Sequence, residues 1–254
     1  MSYRDEIAHH NSFYTQESKL IFGSFIFNLF YRKLINRLKQ EGLIFREARV
    51  LSLGCGDGHF ESIIAPLVAS VTGLDISSTA VDQANRKCKE LGIENFRAIC
   101  TNLVDFDPSN YQGKFDVILA VGLLHHIPEE QLPALLQQYL LFLKPGGRFA
   151  SSDPSAMRLV NLFKRLFQRK YAATHTPDER ELIPHEVKML AKNSGFQNVE
   201  IEFYDFFMGP LSWVWPSCPS FIAICGHIFD QILVRIPVIN RYSSAFLLLA
   251  DRPR

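Results

Sequence analysis

The sequence predicts an α/β fold built on a mostly parallel sheet of the nucleotide-binding kind. Three observations predict it. The apolar, β-prone run Val50-Leu51-Ser52-Leu53 stops in a glycine turn, Gly54-Cys55-Gly56-Asp57-Gly58, and the chain restarts as a helix at His59. About one strand further on, Val71-Thr72-Gly73-Leu74-Asp75-Ile76 ends in an acid. From there to residue 152, strand-like and helix-like segments alternate, the pattern of crossover units on a parallel sheet.

The chain has 254 residues, enough for one large α/β domain with additions. It divides into an N-terminal helical cap (1–44), a cofactor-binding core (45–155) and two insertions, 156–183 and 207–242. Residues 1–16 are polar, with Tyr3, Phe13 and Tyr14 among them. Residues 17–41 read as one helix: Leu20, Ile21, Phe25, Leu29, Leu34 and Leu38 recur at helical spacing, bases cluster in its second half, and Gly42 stops it. Strands are expected at 49–54, 71–75, 96–100, 115–120 and 147–152, with helices at 58–68, 78–91 and 130–142. Pro184 opens a further helix that Gly195 caps, then 198–206 alternates as a strand and 244–250 is an apolar last strand.

Composition excludes several classes. A hydrophobic fraction of 47% supports a real core, and a net charge of +1 gives no argument for a nucleic-acid partner. Residues 1–19 lack the apolar region of a secretory signal, so a cytoplasmic location is expected. Five cysteines with no CxxC pair argue against a disulfide framework or a structural zinc. Cys218, Cys225 and His227 lie close together, but the simpler reading is buried free thiols in a reducing compartment, with no metal.

The glycine turn discriminates between ligands. Alternate glycines let the backbone turn sharply and let a ligand approach with no Cβ in the way. A dinucleotide would lay pyrophosphate on this turn and on the helix N-terminus behind it. Asp57 in the turn would repel a phosphate and attract an ammonium group. The spacing G-x-G-x-G also departs from the dinucleotide pattern. Asp75 ends a strand at the edge where open α/β sheets bind ligands, and its carboxylate suits a ribose diol. A phosphate-free nucleoside carrying positive charge, such as S-adenosylmethionine, fits this set.

These segments resemble the class I S-adenosylmethionine-dependent methyltransferases, and most of all the small-molecule branch that includes the ubiquinone/menaquinone and natural-product enzymes. Phe115-Asp116-Val117-Ile118-Leu119-Ala120 resembles the family's fourth strand, Leu124-His125-His126-Ile127-Pro128 the turn after it, and Leu143-Lys144-Pro145-Gly146-Gly147-Arg148-Phe149 the turn before its fifth. The resemblance is firm over about residues 45–155. It implies a Rossmann-like, seven-stranded sheet with the last strand antiparallel, helical lid insertions, S-adenosyl-L-methionine as cofactor and S-adenosyl-L-homocysteine as product. The cofactor-binding set is then Gly54, Cys55, Gly56, Asp57, Asp75, Ile76, Asn102, Leu103 and Ala120. Asp57 either meets the methionine ammonium through water or caps its helix. Asn102 stands where relatives often place an Asp on the adenine amine, and an amide oxygen can still accept that bond; Leu103 can pack on the ring. Ala120 offers a carbonyl to the methionine end.

His125 is the candidate general base, because it lies just beyond the fourth strand and histidine titrates near neutrality. Similar methyltransferases pair it with an acid at the place of Asp153, which ends the fifth strand. The alternative is a double histidine that only shapes its turn. His126 is read as structural.

Two segments exceed the minimal core. Residues 158–170 form an amphipathic pattern whose charges are all basic, including Arg158, Lys164, Arg165, Arg169 and Lys170, where the family places a lid. Residues 206–229 contain no Asp, Glu, Lys or Arg, but glycine and proline interrupt them, so they do not read as a membrane span. Phe163, Phe167, Phe206, Phe207, Trp213 and Trp215 are the expected walls of an apolar pocket. The expected activity is methyl transfer to an O, N or C atom of a hydrophobic small molecule, such as a lipid, isoprenoid, polyketide or glycoside. Rival readings are a membrane-surface lipid methyltransferase that uses the basic helix, a cofactor-binding protein without transferase activity, and a nicotinamide oxidoreductase.

Overall fold

Seven strands form one sheet in the order β3-β2-β1-β4-β5-β7-β6, with β7 antiparallel to both of its neighbours and every other pairing parallel. The computed structural model describes residues 3–16, 18–103, 108–159, 161 and 180–254. The strands are β1 (Arg49–Leu53), β2 (Ser70–Asp75), β3 (Phe96–Cys100), β4 (Phe115–Val121), β5 (Leu143–Pro154), β6 (Gln197–Asp205) and β7 (Ala245–Asp251). The helices are α1 (Tyr3–Gln16), α2 (Ser18–Phe22), α3 (Phe25–Gln40), α4 (His59–Ile64), α5 (Ser78–Glu90), α6 (Leu132–Phe142), α7 (Pro184–Asn193), α8 (Met208–Val214) and α9 (Ser220–Leu233).

Both faces of the sheet are buried, which the alternation of side chains along its central strands explains. Val50, Val117 and Leu119 point into a core shared with Leu34, Leu38, Ile64 and Val81 on one side. Leu51, Leu53 and Ile118 point into a second core with Leu135, Leu136, Tyr139 and Val187 on the other. At about 25 cal/mol per Å² of apolar surface, these two layers are the main force holding the fold. Strand order reverses between β1 and β4, and the loops leaving the C-terminal ends of those two strands flank the crevice where such sheets take ligands.

The helix expected over 17–41 is broken in two. Ser24 caps α3, its Oγ accepting from Phe27 N at 3.2 Å, so Gly23-Ser24 ends one helix and starts the next. Residues 1–16, read from sequence only as a polar part of the helical cap, contain α1. The helix expected over 58–68 ends at Ile64 and tightens into a 3-10 turn over Ala65–Leu67, which contains Pro66. β4 runs one residue past the expected end, to Val121. β5 starts earlier than expected, at Leu143, because the Lys144–Gly147 stretch bulges within it: Phe115 pairs Leu143 but Val117 pairs Arg148. All five cysteines are free, but Cys100 and Cys225 are exposed rather than buried. The basic lid pattern from Lys164 to Lys170, with Phe163 and Phe167, lies outside the described residues.

Candidate active site

The glycine loop is held by backbone and by the next strand's acid. Gly54 N and Cys55 N both donate to Leu74 O, at 2.8 and 3.1 Å. Gly56 N donates to Asp75 Oδ2 at 2.8 Å, and Ser77 N to Asp75 Oδ1 at 2.9 Å. Gly56 has φ +53, a left-handed conformation that a side chain resists, and a Cβ there would clash with the Tyr14 hydroxyl. A Cβ on Gly58 would sit 2.8 Å from Ala84 Cβ. The loop therefore lies flat against α5 and α1 for steric reasons. Burial raises the Asp75 pKa, while donors from Ser77, Gly56 and Ile76 oppose the rise. Burial, with Asp75 and Asp57 nearby, likewise pushes the Tyr14 phenol well up, so it stays neutral.

Asp57 does two things at once. Its Oδ1 accepts from His59 N at 3.2 Å at the start of α4, and its Oδ2 pairs with Lys87 Nζ at 2.7 Å. The ion pair offsets part of the charge on which the argument against phosphate rests. A cavity of about 290 Å³ opens beside the loop, lined by Asp57, Glu61, Asp153 and Asp205 with Arg158 as its one Lys or Arg side chain among the described residues. Asp153 adds a second carboxylate to the wall, while burial raises the pKa of Glu61 and Asp205. Such a lining favours a sulfonium and an ammonium over a pyrophosphate.

Glu61 escaped the sequence reading. It is buried on α4, accepts from Ser52 Oγ at 2.6 Å, and among the described residues has no hydrogen-bond partner for Oε2. Burial pushes its pKa up to about 7. A signal existed: Glu61 falls between Phe60 and Ile64, on the face that packs into the core. The Tyr14 ring of α1 was also missed as a wall of the site. The helix is pinned there by Asn11, whose Oδ1 accepts from Ser77 Oγ at 2.6 Å, and by Gln83 Nε2 donating to Tyr14 O at 3.0 Å.

On the opposite rim, β4 ends at Val121, Gly122 turns at φ +68, and Leu124–His126 form a 3-10 turn. Gly122 N donates to Ser152 O at 2.7 Å, tying this turn to β5. Asp153, 1% exposed, then faces His125 with Nδ1···Oδ1 at 3.0 Å. A carboxylate at that distance keeps the ring proton on Nδ1 and leaves Nε2 as the basic nitrogen. His126 lies beside it with its ring tilted by 39°, ring centres 4.1 Å apart, and His10 of α1 meets His126 edge-on at 5.3 Å.

The cavity walls include Gly54, Cys55, Gly56 and Asp57 of the expected cofactor set, together with both members of the histidine–acid pair. Asp75, Ile76, Asn102 and Leu103 of that set are not among the described lining residues. Ala120 is fully buried in the sheet; because β4 runs one residue further, Val121 and Gly122 form that part of the wall. Of the expected aromatic walls, Trp213 lines the cavity, stacked with Phe13 at 5.9 Å. Phe206 is instead buried outside the lining, and Phe207 and Trp215 face solvent. Phe207 and Trp215 flank α8 as its cap residues, outside the helix that carries Trp213 to the site. Phe22, Phe27, Phe30 and Tyr31 take their place in the wall.

The fold, the glycine loop on an acid-lined cavity and the rim pair together define a nucleoside-binding group-transfer enzyme of the α/β type. A methyltransferase-domain family model matches residues 23–201, and the chain belongs to that family, within the class I S-adenosylmethionine-dependent methyltransferases. The ubiquinone biosynthesis O-methyltransferase of Cupriavidus pinatubonensis is 25% identical over 173 residues, 66% of each chain. The enzyme of the same name from Coxiella burnetii is 29% identical over 179 residues, 66% of this chain and 73% of the relative. The chain spans about 40–66% of the length of the first four curated relatives it matches. An S-adenosylmethionine-dependent methyltransferase of known structure from Archaeoglobus fulgidus superposes with a TM-score of 0.57 at 17% identity, covering 87% of this chain and 94% of that one. A Haemonchus contortus phospholethanolamine N-methyltransferase, solved with phosphomonomethylethanolamine and S-adenosylhomocysteine, superposes at 0.59 with 16% identity, over 85% of this chain and 51% of that one. Both likenesses are of fold.

Proposed function

We propose that this chain moves the methyl group of S-adenosylmethionine to a hydroxyl oxygen of a hydrophobic small molecule, with His125 as proton acceptor and Asp153 as the residue that positions it. The observation that carries this reading is the His125–Asp153 pair on the rim of an aromatic-walled cavity. The cofactor supplies a methyl group already activated on a sulfonium centre, so the protein's work is binding, alignment and proton removal. Orientation alone is worth about 7–11 kcal/mol in favourable cases.

Gly54–Asp57 and Asp75 hold the amino-acid and ribose parts, with Ile76, Asn102 and Leu103 toward the base and the Ala120–Gly122 strand end beside the methionine chain. Phe22, Phe27, Tyr31 and Trp213 enclose an apolar acceptor and exclude water. The acceptor hydroxyl gives its proton to His125 Nε2 as the oxygen–methyl bond forms and the sulfur–methyl bond breaks. Asp153 holds the charged ring that results. Oxygen is favoured over nitrogen or carbon by the rim base and by the names of the curated relatives, which specify O-methylation.

The test is transfer of a labelled methyl group from the cofactor to a phenol bearing a long alkyl chain, run beside the matching amine. Label in the phenol that falls by about 10²–10⁴ in His125→Ala is expected. Label in the amine alone, or none in either while S-adenosylhomocysteine binds, overturns the reading.

A further inference from the structure

Helix α9 is turned inside out. Its outward positions, spaced as one stripe, are Phe221, Ile224, Cys225, Ile228, Phe229 and Ile232, and all six are exposed. Phe221 is 68% and Ile228 56% accessible. Its inward positions are Ile222, Ala223, Gly226, His227 and Asp230, small or polar apart from Ile222, while the larger apolar side chains face out.

The orientation is enforced from inside. Asp230 is fully buried and its Oδ1 accepts from Phe206 N and Phe207 N at 3.3 and 3.1 Å. Its Oδ2 lies 3.5 Å from Lys33 Nζ on α3. Gly226 packs so closely that a Cβ there would sit 2.8 Å from Met208 Cε. The helix cannot roll its apolar stripe inward without breaking these contacts.

The apolar surface continues past the helix. Residues 235–241 read Arg-Ile-Pro-Val-Ile-Asn-Arg, with Ile236, Val238 and Ile239 exposed between two exposed arginines. Val238 has φ +73, a strained conformation for a β-branched residue, held in a turn that presents it to solvent. Trp215 and Tyr242, both exposed, are aromatics of the kind that sit at headgroup level.

We propose that α9 and the 235–241 loop dock the protein in the plane of an anionic lipid bilayer. Charge selects this occupant. Between residues 206 and 242 the only acid is the buried Asp230, and the only Lys or Arg residues are the exposed Arg235 and Arg241. That is an apolar face rimmed by cations, the pattern that binds acidic headgroups. A symmetric pairing of two copies would offer those arginines no acid on the patch. At 14 residues the helix is about 21 Å long, short of the roughly 30 Å needed to span a bilayer, so it lies along the surface. No described helix is long and apolar enough to cross. The docking face differs from the 158–170 segment and does not depend on the proposed chemistry. It does place membrane contact next to the cavity, since α8 carries Trp213 and Val214 into the wall and ends in exposed Trp215.

The experiment is vesicle flotation of the full chain, without cofactor or acceptor, on phosphatidylcholine vesicles with and without about a third phosphatidylglycerol. Expected is binding to the anionic vesicles at least about tenfold tighter than to neutral ones, weakened by salt. Ile228→Glu with Ile232→Glu reduces it about tenfold or more, and Arg235→Gln with Arg241→Gln lowers it to the neutral-vesicle level. Val238→Gly with Ile239→Ser gives an independent check, because glycine suits the φ at 238 and the fold is spared. Unchanged melting curves and S-adenosylhomocysteine affinity show that the variants are folded. Parent protein that stays unbound on both vesicles, or glutamate and loop variants that float as well as the parent, overturns the proposal. So does a dimer that Ile228→Glu with Ile232→Glu dissociates in vesicle-free buffer while the parent ignores vesicles, which would assign the face to a second copy.

Discussion

Asp153 Oδ1 receives two donors from one residue: the His125 ring at Nδ1, 3.0 Å away, and the His125 backbone N–H at 3.3 Å. One carboxylate oxygen therefore fixes both the position of the turn and the direction of the ring that the turn carries. The arrangement rests on strand register. Val121 pairs Ser152 across β4 and β5, so the residue after each strand pair arrives at the same rim. Asp153 Oδ2 is buried without a hydrogen-bond partner among the described residues, so the histidine is the side-chain partner that compensates this acid's burial.

Removing the two partners should give different signatures. His125→Ala is expected to lower turnover by about 10²–10⁴ while S-adenosylhomocysteine affinity stays within twofold of the parent. Asp153→Asn keeps the shape but can no longer hold the ring charge, so turnover falls while acceptor KM changes little. Single-turnover label transfer and calorimetry read both. A His125→Ala enzyme as fast as the parent removes the base from the mechanism.

Asp75 clamps the glycine loop through Gly56 N, and in the proposed function it also meets the ribose diol. Asp75→Ala removes both interactions. Hydrogen bonds to a charged group are worth about 1.5–3 kcal/mol, so cofactor affinity should drop at least tenfold by calorimetry. An unchanged affinity would move the ribose elsewhere.

Gly56→Ala tests the loop itself. The added methyl meets the Tyr14 hydroxyl, and the left-handed φ costs a further 1–2 kcal/mol or so. The melting temperature should fall and α1 should detach, read as faster amide exchange around Asn11–Tyr14. Tyr14→Phe in the same background removes the clashing oxygen and should restore part of the loss. No rescue would show that strain at φ, rather than contact with α1, dominates.

The centre of the site was legible because its signals are local. An apolar strand, alternate glycines and an acid one strand later are contiguous patterns, and the His125–Asp153 pair needed only the ends of two neighbouring strands. What was missed depends on contacts far apart in sequence. α1 is polar and shows no periodicity; its place over the loop comes from the Asn11–Ser77 and Tyr14–Gln83 bonds, which span 66 and 69 residues. Glu61 reads as a surface acid until α4 is seen to bury that face. Trp213 and Trp215 are alike in sequence, yet the turn into α8 sends one to the cavity and the other to solvent. The inverted stripe of α9 has the periodicity of any amphipathic helix, and only Asp230's partners on α3 and at the end of β6 show which side faces in.

Glu61 makes stability depend on pH. Its folded pKa, about 7, lies above the ordinary carboxylate value because burial disfavours its charge. The folded state then binds a proton that the unfolded chain releases. Its favourable contribution is complete below about pH 4.5 and is lost as pH rises through 7. The window is worth up to about 3 kcal/mol at 1.36 kcal/mol per unit. Glu61→Gln abolishes that slope, so the parent should lose stability relative to the variant between pH 5 and 8 in urea titrations. Parallel pH profiles would show that Glu61 is solvated in solution.

Lys33 is the cation that two buried acids share. Its Nζ lies 3.5 Å from Asp230 Oδ2 and 3.9 Å from Asp205 Oδ1, and both acids are inaccessible to solvent. Burial and then the Asp230 charge push the Asp205 pKa well up, and Lys33 works against them. Lys33→Met leaves the two carboxyls uncompensated, a change that costs about 3–5 kcal/mol for buried pairs. The loss should depend on pH. With its pKa raised, Asp205 contributes stability below the unfolded carboxylate range and loses it as pH rises, and without Lys33 the rise is larger. The deficit of Lys33→Met against the parent should therefore be smaller near pH 5 than near pH 8, and Asp205→Asn in the same background should recover part of it. Because Asp230 also sets the roll of α9, the same variant should loosen that helix first, seen as faster amide exchange at 220–233 ahead of the sheet. Equal deficits at both pH values, with uniform exchange, would mean that Lys33 contributes packing rather than charge.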